Sequence, residues 1–384
     1  MTDTSLIRPD DAIAPPARRV AWLPIAIASI ALVAIAAGAG WWLLGARQSI
    51  PDWERLPEFN SAAPAGDAFA GDTPWVHFRL APARPGDENI LQVALTAPRG
   101  TPVPSSAETP RIASLTAQPL SEGATVPQVD PLPPGAGDEG WFAATSSLDR
   151  AGWWRMRVAV EGAAEPVDFY LLLPDPNLNG PNAVPGFGSS ADGEAVFRRG
   201  MDAITALRTV RFTQWIADGK GNAAMSEHAV RAGGDGAPPG FTYRAAGGME
   251  AVIIDTTRWV KLPSDLGWQQ QEGATVVPPA EWDDEYFGAT DFTILGEETI
   301  DGEPCQLVAF VVPQLTEPRR QTVAWYLWWV GKETGQVRQE AMVSRLHYML
   351  NHFTDFDAPL DLAPPVEAGT PVAGTPPPAG TPGG

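Results

Sequence analysis

Residues 325–343 read WYLWWVGKETGQVRQEAMV. Six apolar residues, a turn-forming GKETG at 331–335 and a second strand-forming run are the pattern of two antiparallel strands joined by a tight connection. Trp325 and Trp329 are four apart, so on a strand they share a face with Leu327 between them, while Trp328 faces the other way. Indoles on both faces fit a sheet covered on one side by helices and more loosely on the other. Upstream, ILGEETI at 294–300 turns at Asp301-Gly302 and pairs with 306–312.

Further out, 209–216 runs into the turn DGKGN at 218–222 and returns over 225–231, and runs at 241–246, 251–255, 259–262 and 347–356 extend the meander. Ahead of them, Phe197, Met201, Ile204 and Leu207 fall at i, i+4, i+7 and i+10, the apolar stripe of a helix. Residues 281–287 suggest a second, short helix. A mostly sequential antiparallel sheet of so many strands must curl, and the helices are expected to cap its concave face.

The order of these segments, FRRGMDAITALRTVRFTQWI, ILGEETIDGEPCQLVAFVVP, WYLWWVGKETGQVRQEAMV and HYMLNHFTDFDAPLDLAPP, resembles the LolA-like half-barrel and, within it, the LppX/LprG-type lipoproteins. The resemblance covers 192–365. It implies a curved sheet of eleven strands with an apolar cavity for acyl chains; relatives ferry lipids or lipoproteins across the envelope, and some sense envelope stress. The lipobox cysteine of such lipoproteins is missing. On this reading Phe197, Met201, Ile204, Trp215, Trp259, Trp325 and Trp329 are candidates for the cavity wall. The same tryptophans equally suit a plain core.

Residues 73–175 alternate with period two, most cleanly in 152–160, where Trp154, Met156, Val158 and Val160 face one way and Arg155 and Arg157 the other. About seven short strands in roughly 100 residues indicate a β-sandwich. The series FRLAPARPGDENILQVAL, RIASLTAQPL and GWFAAT…LDRAGWWRMRVAV resembles YtkA-like and copper-resistance-D-type immunoglobulin-like modules. Copper needs clustered soft or imidazole ligands, and only His77 and Met156, on different strands, are on offer. In the loop after this domain Asp175, Asn177 and Asn179 match early positions of a calcium loop, but Gly186 stands where a bidentate Glu is required. Asx-turns in an interdomain linker (176–191) explain them better.

The run from Val20 to Ala46 carries no charge. As a helix it spans roughly 40 Å, enough to cross a bilayer core of about 30 Å. A cleaved signal ending at Leu44-Gly45-Ala46 is the alternative. Arg18 and Arg19 precede the run against Arg47 and Arg55 after it. More than this charge count, the short stretch before the run against the long one after it indicates a cytoplasmic tail at 1–19. Residues 47–72 read as a flexible stalk, and 366–384 as a disordered Thr/Pro/Gly tail. With 46 acids against 26 bases, the net charge of −20 disfavours nucleic acid. One cysteine, Cys305, excludes a disulfide framework.

No nucleophile elbow, phosphate loop or metalloprotease motif is present in the sequence. His347 and His352 are five apart and fall on opposite strand faces, and the acids at 281–285 suit a solvated helix start. The expectation is a mainly β protein: an N-terminal transmembrane helix, an immunoglobulin-like β-sandwich, then a curved antiparallel half-barrel with capping helices. It is expected to be non-catalytic, without cofactor, and anchored in the cell membrane with its bulk outside. Its partner would be a membrane lipid or acylated ligand. The second reading is a sensor or scaffold for an envelope protein, and the third is copper handling.

Overall fold

The computed structural model of the chain describes residues 58–96, 111–121, 141–234, 236–313 and 322–365. All belong to the unit Arg47–Gly384; the tail at 1–19, the span expected from Val20 to Ala46 and the tail at 366–384 lie outside the described residues. Among the described residues no helix is long and apolar enough to cross a membrane.

Two sheets come first. Strands β1 (Phe59–Pro64), β2 (Trp75–Ala81), β3 (Glu88–Thr96) and β5 (Trp141–Ser147) lie in the order β1-β2-β3-β5. Strands β4 (Ile112–Pro119), β6 (Gly152–Val160) and β7 (Val167–Leu173) form the other, with β6 central. The alternation of β6 buries Trp154, Met156, Val158 and Val160, and Phe78 stacks on Phe169 at 5.2 Å across the two sheets. The expected stalk is corrected in part: 59–64 is a strand with Phe59 fully buried. Its FNSAAP buries small residues, which carry no hydrophobic alternation to read.

The third sheet has eleven antiparallel strands. From one edge they run β13 (Gln269–Glu272), β12 (Thr257–Lys261), β11 (Glu250–Ile254), β10 (Gly240–Ala245), β9 (Ala223–Arg231) and β8 (Thr209–Ala217). Then come β18 (His347–Thr354), β17 (Val337–Ser344), β16 (Ala324–Gly331), β15 (Glu303–Val312) and β14 (Thr290–Ile300). The order is mostly sequential, as expected, with one break. Two meanders, β8 to β13 and β14 to β18, meet where β8 pairs with β18. A crossover at 273–289, including the 3₁₀ turn Pro279–Tyr286, carries the chain from the β13 edge to the β14 edge.

Helix α2 (Ala191–Thr205) follows the short α1 (Pro176–Asn179). Ser190 caps it, its Oγ accepting from the Gly193 N–H at 3.0 Å, and Asp192 and Glu194 in the first turn complement the helix dipole. The helix crosses β14 to β17 closely. A Cβ on Gly193 would meet the Phe292 carbonyl oxygen at 2.6 Å, and one on Gly200 the Trp328 ring at 3.2 Å.

Both faces of this sheet are covered, by different parts of the chain. Val308, Phe310, Tyr326, Trp328 and Val330 pack with Val196 and Ile204 of α2. Leu307, Ala309, Trp325, Leu327, Trp329 and Trp215 join a single core with the sandwich. The join is polar as well. The Trp215 indole donates to the Ala62 carbonyl at 2.8 Å, Tyr170 meets Trp329 edge-on at 4.9 Å, and Arg155 pairs with Glu298 at 2.8 Å.

Asp175 and Asn177 lock this join. Asp175 caps α1 and accepts the Tyr348 hydroxyl at 2.7 Å. The Asn177 amide donates to the Ser344 carbonyl and the Tyr348 hydroxyl, both at 3.0 Å, and accepts from the Leu346 N–H at 2.7 Å. Asn179 donates to the Ala83 carbonyl. The side chains weighed as a calcium loop are thus bound to protein partners. His77 sits on β2 against Trp141, burial and Arg79 pushing it down to about 4, while Met156 is fully buried in the other sheet. Among the described residues no group of three or more His, Cys, Asp or Glu is placed to hold a metal.

Candidate functional site

Between α2 and the crossover lies a recess of about 450 Å³. The 3.6-residue period of α2 turns Phe197 and Met201 into it, and the crossover supplies Tyr286, Gly288 and Ala289 before Phe292 closes the wall from β14. Glu194, Asp202 and Asp283 bring carboxylates to its lining, and Arg198, also there, is held by Glu194.

An aromatic cluster backs Phe197 and Tyr286. Phe197 lies over Trp328 at 5.2 Å and meets Phe310 edge-on at 4.8 Å, and Tyr286 meets Trp328 edge-on at 4.8 Å. Offset and edge-on pairs each add about 0.5–1.5 kcal/mol beyond area burial, which holds Phe197 and Tyr286 against the sheet.

A buried carboxyl adjoins this cluster. Glu340, 2% exposed, accepts from the Tyr286 hydroxyl at 2.7 Å, the Trp328 indole at 2.6 Å and the Asn351 amide at 2.9 Å. Burial and, secondarily, the Glu285 carboxylate raise it to about 7, outweighing the three donors. Through Tyr286 this carboxyl ties the crossover to the sheet. Tyr326 adds a second tie, donating to Glu285 at 3.2 Å.

Past the crossover the same face of the sheet continues over β8 to β10. Trp282 meets Phe212 edge-on at 6.3 Å, and His228 stacks flat on Phe212 at 4.4 Å beside Tyr243 at 5.2 Å. Burial pushes His228 down to about 3, so it is neutral at ordinary pH, with its Nε2 2.9 Å from the Ser226 hydroxyl.

The seven cavity candidates divide. Phe197 and Met201 line the recess. Ile204 points into the core beneath the helix at 3% exposure. Trp215, Trp325 and Trp329 occupy the opposite face against the sandwich, because the period of two that groups them also sets them apart from Trp328. Trp259 is buried, and the register through Val252 and Thr242 puts it on the Trp215 face. Sequence reasoning missed Tyr286, Ala289, Phe292 and Glu340. The only signal for the first was the short helical segment at 281–287.

No protein-family model matches the sequence, and no curated protein matches it. Solved structures similar to the chain include the lipoprotein LppX of Mycobacterium tuberculosis, 15% identical over 46% of this chain and 100% of that one, with a TM-score of 0.35. LprF from Mycobacterium bovis is 14% identical over 47% and 100%, with a TM-score of 0.37. A LolA superfamily protein from Nitrosomonas europaea is 10% identical over 44% and 94%, with a TM-score of 0.22. No activity transfers at that level of likeness.

Proposed function

We propose that the protein binds a lipid, or the acyl chains of an acylated ligand, in the recess between α2 and the crossover. It would do so as a non-catalytic carrier or lipid sensor of the bacterial envelope, held to the membrane by the segment from Val20 to Ala46. The observation that carries this reading is an accessible recess of about 450 Å³ with Phe197, Met201, Tyr286, Ala289 and Phe292 in its wall. That size lies within the roughly 300–1,000 Å³ of small-molecule sites, and each methylene buried there contributes about 0.8 kcal/mol. Three carboxylates in the lining favour a neutral or zwitterionic head over an anionic one. The sandwich, taken as the immunoglobulin-like module, braces the back of the sheet.

Titration of the chain from Arg47 onward with a fluorescent acyl probe tests this. Uptake near one per chain is expected, weakened at least about tenfold in Met201→Glu with an unchanged unfolding midpoint. Uptake equal in both chains overturns the site. No uptake, with a membrane protein co-purifying, favours the sensor or scaffold.

A further inference from the structure

Five large apolar side chains are exposed among the described residues: Ile90, Leu262, Leu266, Phe287 and Leu346. The last four gather at one end of the eleven-stranded sheet. Following the antiparallel register, the β8–β9 turn at 218–222, the β12–β13 loop at 262–268, the β17–β18 turn at 345–346 and the approach to β14 at 287–289 all lie there. The opposite end presents Asp301, Lys332, Glu333 and Asp357 in its turns. Leu266 is fully exposed, yet its loop is built. Asp265 accepts from the Leu262 N–H at 3.0 Å and from the Gln269 amide at 3.1 Å, and its own N–H returns to the Leu262 carbonyl at 3.0 Å. Phe287 directly precedes Gly288 and Ala289, which line the recess.

The chain enters at this same end. Asn60 at the start of β1 donates its N–H to the Gly219 carbonyl at 2.9 Å, and the Gly221 N–H returns to the Asn60 carbonyl at 2.7 Å, both in the β8–β9 turn. Residues 47–58 join β1 to the uncharged run ending at Ala46, and fully extended they reach only roughly 40 Å. We propose that this end docks on a phospholipid bilayer, with Leu262, Leu266, Phe287 and Leu346 entering its interfacial layer. Loops that lie in an interface bury apolar side chains at the headgroup boundary. Among the described residues, charges of both signs flank them, Lys220, Lys261 and Arg345 with Asp218 and Asp265, so apolar burial, and not attraction to anionic lipid, is taken to drive the contact. The inference rests on reading the run from Val20 to Ala46 as a membrane span, and is independent of what the recess holds.

The test uses the full chain reconstituted in phosphatidylcholine vesicles, with a polarity-sensitive dye on Leu266→Cys or, at the opposite end, Glu333→Cys. Cys305 is fully buried and stays unlabelled. A blue shift with quenching by lipid-borne quencher at 266, and neither at 333, is expected. In the chain from Arg47 onward, Leu262→Asp with Leu266→Asp should weaken vesicle partitioning at least about tenfold while acyl-probe uptake is unchanged, and adding phosphatidylglycerol should change partitioning less than about twofold. The substituted positions are exposed, and Leu266→Asp alone keeps the test readable should the pair unfold. A dye at 266 that reads water on vesicles, an equal signal at 333, or protection of 266 only when an envelope protein is added overturns the proposal. Lost uptake with retained docking counts against the recess alone.

Discussion

Trp329→Ala separates the two faces of the large sheet. Trp329 is fully buried, its ring against Tyr170 at 4.9 Å and its indole donating to Glu298 at 2.8 Å. Removing a buried Trp costs about 3–5 kcal/mol through lost transfer energy and the cavity left behind. The edge-on ring pair falls within that loss, and Arg155 still partners Glu298 at 2.8 Å, so about 4 kcal/mol is expected. With a urea slope of about 3 kcal/mol per M, the midpoint falls by roughly 1.3 M. The assay is urea unfolding of the chain from Arg47 onward, followed by circular dichroism and by tryptophan emission. One core spans the sandwich and the large sheet, so the two probes should trace one transition. Below that transition the acyl probe should still be taken up, because the recess lies on the other face. A midpoint change under about 0.3 M, an early step confined to one sheet, or lost uptake in the folded variant would refute the reasoning.

Glu340→Gln should change the pH dependence of stability. Glu340 and Glu285 act on each other, and loss of solvent raises both above the ordinary carboxyl value of 4.5, Glu340 to about 7, so the folded state holds an extra proton on the pair above about pH 4.5. The pair's contribution is full below about pH 4.5 and declines as pH rises through the raised folded values. The variant should lack that decline when its denaturation midpoints are compared with the parent's from pH 4 to 8; parallel profiles would place the proton elsewhere. Gly193→Ala puts a Cβ 2.6 Å from the Phe292 carbonyl oxygen. It should cost about 1–3 kcal/mol in thermal unfolding, beyond the roughly 1 kcal/mol that helix propensity returns, and a stabilised variant would contradict the close helix approach. Asn177→Ala removes three hydrogen bonds between α1 and the β17–β18 hairpin, to Ser344, Leu346 and Tyr348. A loss of about 1–3 kcal/mol is expected, with faster amide exchange at Leu346; unchanged exchange would mean that the lock does not hold.

How much of this was legible follows from which signals are local. Period two made β6 and the Trp325–Trp329 pairing readable, and period 3.6 made α2 readable with Phe197 and Met201 on one stripe. Strand β13 is QQQE, with no apolar residue to alternate, and exists because β12 offers it a partner at the sheet edge. Strand β1 hid for a related reason, since Ala62 and Ala63 are buried by what packs on them. The face shared by Trp325 and Trp329 was plain, but its cover was not. That cover is the sandwich, more than 150 residues away in sequence, and no periodicity within β16 distinguishes it from a ligand. The crossover that brings Tyr286 over Trp328 joins opposite sheet edges, so the recess it closes has no signature along the chain.

The central claim is that the recess holds acyl chains, and native mass spectrometry with lipid extraction tests it most directly. The chain from Arg47 onward, purified from a bacterial envelope, should carry lipid at near one per chain, lost in Met201→Glu and retained in folded Leu266→Asp. A folded, empty chain that takes up no added lipid would contradict it.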